Sequence, residues 1–187
     1  MNNNSEDLPS NKNLIQGKDL ERYFDVQRTL DEFARLFDYN ESNDRAIAII
    51  GVSFLEDLLE HILINFFVDD EKEVNKLLKP ERPLGTFGGR TSAAYCLGLI
   101  NATVRQDLRL VGKIRNRFAH DIFASFDDQK IRSWCLELKW HKISLFAEPP
   151  PNATSRQLFQ VGVNQLVNNL HGVLSIARSE SRTIQKI

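Results

Sequence analysis

The chain carries almost no excess of charge of either sign. Its 24 lysine and arginine residues are balanced by 25 aspartate and glutamate residues, which gives a formal net charge of −1. A protein that holds nucleic acid through its overall electrostatic field needs a large positive charge. The composition therefore excludes binding of that kind and leaves only a local cluster of cations as a candidate.

Cysteine is scarce as well. Only Cys96 and Cys135 occur among the 187 residues, they do not form a Cys-x-x-Cys pair, and no histidines cluster with them. A disulfide scaffold and a zinc site are therefore not expected, and no other metal or cofactor is implied. We expect both cysteines to be small buried side chains in a protein of the reducing cytoplasm.

Long apolar runs are also missing. The most apolar stretch, "AIAIIGVSFL" at 46–55, ends at Glu56 and Asp57, whereas a membrane-spanning helix needs roughly 20 apolar residues. The first residues, "MNNNSEDLPSNKN", contain no hydrophobic region of the kind found in a secretory signal. We therefore expect a soluble cytoplasmic protein without membrane contact.

What the sequence does contain is helical periodicity. Apolar residues recur at steps of three and four from Asp19 to Phe37 and in several later segments. Residues 1–16 are polar and aperiodic, so we expect a disordered tail there and a single all-helical domain over 17–187. The stretch 136–146 gives one weak indication of a strand. The predicted fold class is all-α, a bundle of six to seven helices.

Several helix boundaries can be predicted from single residues. Ser42 or Asn43 is expected to cap a long central helix. Asn101 is expected to adopt the left-handed conformation that closes the helix preceding it. The three prolines at 149–151 predict a break before a last helix over about 155–182.

The segment "LVGKIRNRFAHD" at 110–121 lies in a helix predicted over about 103–119. Arg115 falls on the apolar arc of this helix, where an unpaired guanidinium would be very costly. It must therefore meet a carboxylate, carbonyl groups, or a cleft between helices or subunits. At about 100° per residue, the core-facing arc is expected to contain Val104, Leu108, Leu110, Val111, Ile114 and Phe118.

Another side of the same helix carries cations at four-residue spacing. Within the segment they are opposed only by Asp107. Such a stripe is either a solvated helix face, with cations near the C-terminus where the helix dipole favours them, or a strip that binds phosphate groups or a partner. Both interpretations stay open. The basic stripe consists of Arg105, Arg109, Lys113 and Arg117.

The string "RNRFAH" at 115–120 resembles the Arg-Asn-(x)3-His motif of the HEPN superfamily of all-helical domains. In that superfamily the arginine and the histidine face a cleft, commonly at a dimer interface. The motif is preceded by "PLGTFGGRTSAAYCLGLI" and continues into "FAHDIFASFDDQKIRSWCLEL". With these flanks, the region from about 20 to 180 is similar to the mannitol operon repressor (MltR/MtlR) family.

This resemblance implies a homodimeric regulatory protein. The family is associated with transcription, yet no segment here resembles a helix-turn-helix with a basic recognition helix. Regulation is therefore expected to act through a protein partner or a small ligand. In this interpretation Arg115 and His120 hold the fold or the dimer together, and His120 can bond the last carbonyl groups of its helix.

The superfamily implies a metal-independent endoribonuclease, of a toxin or defence system, as the alternative. His120 would move protons at the ribose 2′-hydroxyl or the leaving oxygen, Arg115 would stabilise charge on the phosphate, and Asn116 would orient one of them. The basic stripe would hold the RNA backbone. Because the motif has one histidine, acid and base would come from two copies. Ile122 stands where related toxins that pair with a nucleotidyltransferase antitoxin carry tyrosine.

Four further residues are weaker candidates. Arg90 ends "GTFGGR", which lacks the Lys-Ser/Thr of a phosphate-binding loop, so a surface ion pair is expected for it. His61 is expected to be a hydrogen-bonded histidine of the core. His141 and His171 stand alone, without the spacing to a carboxylate that would indicate a metal site.

Overall fold

The computed structural model describes residues 28, 31–33, 35, 37, 43–139 and 151–185. Several sequence predictions fall outside these residues: the tail at 1–16, the start and the end of the first helix, most of the weak strand, two of the three prolines, and His141. The described residues near 33 and 37 are helical. No residue of the described ranges lies in a strand.

Six helices with defined bounds follow along the chain, and the prediction of an all-α bundle is confirmed. None of the described helices is both long and apolar enough to cross a membrane. The helices are α1 (Asp44–Phe66), α2 (Glu71–Leu78), α3 (Phe87–Cys96), α4 (Ala102–His120), α5 (Gln129–Glu137) and α6 (Ser155–Ser179).

Short polar side chains start most of these helices. Asn43, as predicted, caps α1 by accepting the backbone N–H of Ala46 at 3.1 Å. Thr154 and Gln157 form a reciprocal capping box at the start of α6. Each cap satisfies an N–H group that has no partner within its helix, which fixes where the helix begins.

The prediction for Asn101 is wrong. Its φ is −85°, and its side chain starts α4 by accepting the backbone N–H of Val104 at 3.0 Å. The left-handed residue after α3 is Gly98, with φ of 75°. Glycine tolerates this conformation because it has no Cβ. The link from Gly98 to Asn101 is thus a turn that ends one helix and begins the next.

The core forms around α1, which packs against α3, α4 and α6. α5 joins α4 and α6 on the other side of the bundle. The short α2 is held separately, because Val74 and Leu78 pack against Leu63 of α1. The largest fully buried side chains include Phe37, Phe66, Phe118, Phe159, Leu55, Leu59 and Leu108.

The two cysteines differ in their surroundings. Cys135 on α5 is buried as expected, and burial raises the pKa of its thiol to about 12. Cys96 is exposed at the end of α3, so the expectation of a second buried thiol is wrong.

Candidate functional site at the C-terminal end of α4

Helix α4 presents the predicted apolar arc to the core. All six predicted residues are buried. Asp107 is fully buried among them. Its two carboxylate oxygens accept the backbone N–H of Lys139 at 3.0 and 2.9 Å. Asp107 therefore fixes the chain just after α5, and the other sides of α4 are left for the cations.

Arg115 lies at the edge of this apolar arc. Its side chain is 29% exposed, and its Nη2 lies 3.7 Å from Oε2 of Glu56 on α1. A separation of 3.7 Å is an ion pair and not a close hydrogen bond. Of the partners expected for Arg115, which were a carboxylate, carbonyl groups or a cleft, the structure shows a carboxylate, that of Glu56 on the neighbouring helix.

Glu56 also belongs to a second, tighter pair. Arg90 on α3 forms the expected ion pair, but it is only 7% exposed, so the pair is buried and not at the surface as predicted. Its guanidinium lies 2.7 Å from Glu60 and 3.4 Å from Glu56, and its Nε donates to the carbonyl oxygen of Leu84 at 3.0 Å. Arg90, Glu56, Glu60 and Arg115 together form what we call the internal charge cluster. It joins α1, α3, α4 and the loop before α3.

Asn116 and His120 lie on a different side of α4. Both are exposed, and because α4 extends to His120 they share one face at four-residue spacing. His120 makes no hydrogen bond or ion pair with the described residues, so no bond to the last carbonyl groups of α4 is present there. Arg115 and His120 are five residues apart, which rotates them about 140° from one another on an ideal helix.

Two cations of the basic stripe contact neighbouring side chains, and the other two are solvated. The guanidinium of Arg105 stacks 3.8 Å from the ring centre of Tyr95 on α3. Arg117 pairs with Asp121 at 2.7 Å. Arg109 and Lys113 are exposed and have no polar partner among the described residues. The cations available to a ligand on this helix are therefore chiefly Arg109 and Lys113.

The loop after α4 is tied to the start of α1. The carbonyl oxygen of Asp121 accepts a hydrogen bond from Arg45 Nη2 at 2.7 Å. Asp44 accepts the backbone N–H of Phe126 at 3.1 Å, and its other oxygen lies 3.4 Å from Arg156 on α6. These contacts anchor both ends of the segment that follows His120.

Aromatic packing strengthens this anchor. Phe126 is buried, with its ring centre 4.9 Å from that of Phe118 and 5.2 Å from that of Phe159. Tilted rings at these distances attract one another beyond the burial of apolar surface. Phe126 therefore anchors the loop directly to the core.

Between the two anchors, the loop turns two apolar side chains outward. Ile122 is 76% exposed and Phe123 is 85% exposed, the most exposed of the large apolar side chains in the described residues. The backbone N–H of Phe123 donates to the Asp121 carboxylate at 2.9 Å. The sequence analysis did not select Phe123. The signal available was an apolar pair placed just beyond the end of the helix. We call Ile122 and Phe123 the loop apolar pair.

The remaining histidines give no further site. His61 was expected in the core but is exposed. The hydrogen bond that its ring donates to the Asp57 carboxylate raises its pKa. Burial, followed by the charge of Arg178, lowers the pKa of His171. No group of three or more His, Cys, Asp or Glu residues in the described part of the chain is arranged to hold a metal ion.

Comparison with known proteins identifies a related fold. No family model and no curated protein matches the sequence. One solved structure, the X-ray structure of the MtlR-HPr complex from Escherichia coli, contains a chain that matches with a TM-score of 0.53 and 23% identity. The match covers 78% of this chain and 98% of that one. This chain therefore has an MtlR-like helical fold.

Proposed function

We propose that this chain is a regulatory protein of the mannitol operon repressor type that acts by binding a protein partner in the cytoplasm. The observation that carries the proposal is the fold match, because the matched structure is a complex of MtlR with a second protein, HPr. The match extends over 98% of that chain, so the resemblance involves the whole fold and not a shared helix pair. An HPr-like protein is accordingly the partner we propose, with a homodimer as the working form.

The geometry of α4 favours binding over catalysis. An acid–base catalyst and the group that stabilises the developing charge must reach the same substrate atoms. Here the guanidinium of Arg115 is paired with Glu56, while His120 is exposed and has no polar partner among the described residues. Arg115 thus contributes to the junction of α1 and α4, as the regulatory interpretation of the motif requires. The exposed cations and the loop apolar pair remain accessible for binding a partner.

Calorimetric titration of the full chain with purified HPr from the same organism tests this proposal. We expect saturable binding with one HPr per chain. An unrelated protein of similar size and charge, titrated under the same conditions, is the control. Absence of heat with HPr, together with absence of a shifted boundary in sedimentation velocity, would contradict the proposal. The same sedimentation runs on the chain alone test the homodimer.

The ribonuclease is the second candidate, and one observation favours it. His120, Asn116, Arg109 and Lys113 are all exposed on one side of α4, where an RNA backbone could lie. Arg115 of the same chain is paired with Glu56, so it would have to leave that pair or be supplied by a second copy. This candidate also needs the homodimer.

RNA cleavage in EDTA by the purified chain tests the second candidate. Folded Arg115→Ala and His120→Ala variants serve as the comparison. Cleavage by the parent that both variants lose supports a nuclease. Cleavage that survives in both variants identifies a contaminant, and no cleavage by the parent rejects this candidate.

A further inference from the structure

We propose that the loop apolar pair, Ile122 and Phe123, is the anchor by which this chain docks its protein partner. The inference deepens the proposed function and rests on it. Phenylalanine that is 85% exposed leaves most of its apolar ring in water, which is unfavourable in a protein without a partner. Large aromatic side chains that enter a pocket of a partner commonly dominate the binding free energy.

The loop presents this pair in a fixed position. Residues 121–128 are held by Arg45 and Asp44 at the start of α1, and by Phe126 in the core. The backbone N–H of Phe123 is itself bonded to Asp121. A preorganised loop loses little conformational entropy on binding. The favourable free energy of its contact is therefore not offset by the cost of ordering the chain. The anchors and the exposed pair thus have complementary roles.

The charges around the pair indicate what occupies it. The solvated cations on the adjoining side of α4 are Arg109 and Lys113, with His120 between them and the loop. A second copy could also meet these charges, because a two-fold interface pairs different residues and the loop carries the exposed Asp127. A partner with carboxylates around an apolar hollow matches both features. We assign the surface to the HPr-like partner, because the structure with the matching fold is a complex with HPr. A second copy is an outcome that the test below distinguishes.

Nucleic acid fits the surface less well than a protein. Arg105 and Arg117 are already engaged by Tyr95 and Asp121, so the stripe offers two solvated cations and not four. The isoleucine next to the ring, 76% exposed, has no role in stacking on a base. An apolar hollow on a protein would cover both side chains.

Titration of HPr into loop variants of the full chain tests the assignment. Phe123→Ser should weaken HPr binding at least tenfold, as expected for an aromatic anchor. The matched control is Leu136→Ser, because Leu136 on α5 is 72% exposed and belongs to no proposed contact. It should change the dissociation constant less than about twofold. Lys113→Glu should also weaken binding, since it reverses one of the two solvated charges.

Each outcome decides a different point. If HPr binds the parent and Phe123→Ser with equal affinity, the docking surface is wrong while the proposed function stands. If HPr does not bind the parent at all, the proposed function fails and the docking assignment fails with it. If Phe123→Ser converts a dimeric parent to a monomer, the surface belongs to a second copy and the assignment is overturned. If the parent cleaves RNA or retains it on a filter and Phe123→Ser does not, the docking assignment is overturned in favour of nucleic acid.

Discussion

The internal charge cluster and the end of α4 are built from similar residues but use them differently. In the cluster, Arg90 and Arg115 face Glu56 and Glu60, and Arg90 is almost fully buried. At the end of α4, Lys113 is solvated and an apolar pair faces water. The arginine of the motif thus belongs to the interior junction, whereas the chain just after the motif forms the accessible surface.

The two charged residues of the motif therefore lie in different surroundings. "RNRFAH" contains Arg115 at the boundary of the core and His120 at the helix terminus, separated by about 140° of rotation. A substitution at Arg115 should act mainly through the packing of α1 and α4. A substitution beyond His120 should act mainly through binding. The variants below separate the two effects.

Arg90→Ala should have the largest effect on folding. It removes the cation between two partly buried carboxylates and leaves the carbonyl oxygen of Leu84 without its donor. Breaking a buried pair in this way costs about 3 kcal/mol of unfolding free energy. Urea denaturation measures the loss, with exposed Arg132→Ala as the control. A loss no larger than that of the control would show that the cluster does not hold the three helices together.

Asp44→Ala should have an intermediate effect. It removes the acceptor of the Phe126 N–H, the partner of Arg156 and a negative charge in the first turn of α1. Loss of hydrogen bonds to a carboxylate, together with its favourable position at the helix start, costs about 1–2 kcal/mol. Because the loop is then held less firmly, HPr binding should weaken as well.

The control for this variant is Asp127→Ala in the same loop, since Asp127 is exposed. Denaturation and HPr titration are run on both. If Asp44→Ala loses stability but binds HPr as the parent does, the anchors are not needed to present the loop apolar pair.

Arg115→Ala should have a smaller effect on stability. The Arg115–Glu56 separation is 3.7 Å, and both side chains are about three-tenths exposed, so the pair contributes about 0.5–1 kcal/mol. HPr binding should be unchanged. Loss of HPr binding in a variant that keeps its helical content and its unfolding midpoint would move Arg115 from the interior junction to the binding surface.

His61 provides the smallest effect and a pH dependence with a definite sign. The hydrogen bond that His61 donates to the Asp57 carboxylate raises the pKa of His61 above its ordinary value. The folded chain therefore favours the protonated form, and the added stability is present at acidic pH and is lost as pH rises through the raised pKa. Because the side chain is half exposed, the contribution is below about 0.5 kcal/mol.

The measurement compares the parent with His61→Gln by urea denaturation at about pH 5 and about pH 8. The parent should lose slightly more stability than the variant on going to the higher pH. An equal or opposite change would contradict the assignment of the shift to Asp57.

Local features of the fold are predictable from the sequence, because they depend on rotation and on short-range bonds. The apolar arc of α4 and the cap at Asn43 follow from residue spacing alone. Asp107 could have been placed correctly too. At about 100° per residue it falls between Val111 and Ile114, inside the arc.

Partners on other helices are not predictable in the same way. Periodicity indicates which side of a helix is buried but not which helix covers it, so Glu56 could not be named as the partner of Arg115. For the same reason Arg90 was expected at the surface and His61 in the core. Phe123 was overlooked because a phenylalanine is normally assigned to the core, and only the packing shows it exposed.

Hydrogen–deuterium exchange of the full chain, with and without saturating HPr, tests the central claim most directly. That claim is that the partner contacts the end of α4 and its loop, while the internal charge cluster only supports the fold. The account predicts slower exchange on HPr binding in residues 117–128 and unchanged exchange around Glu56 and Arg90. Protection that appears around Glu56 and Arg90 but not in 117–128 would contradict it.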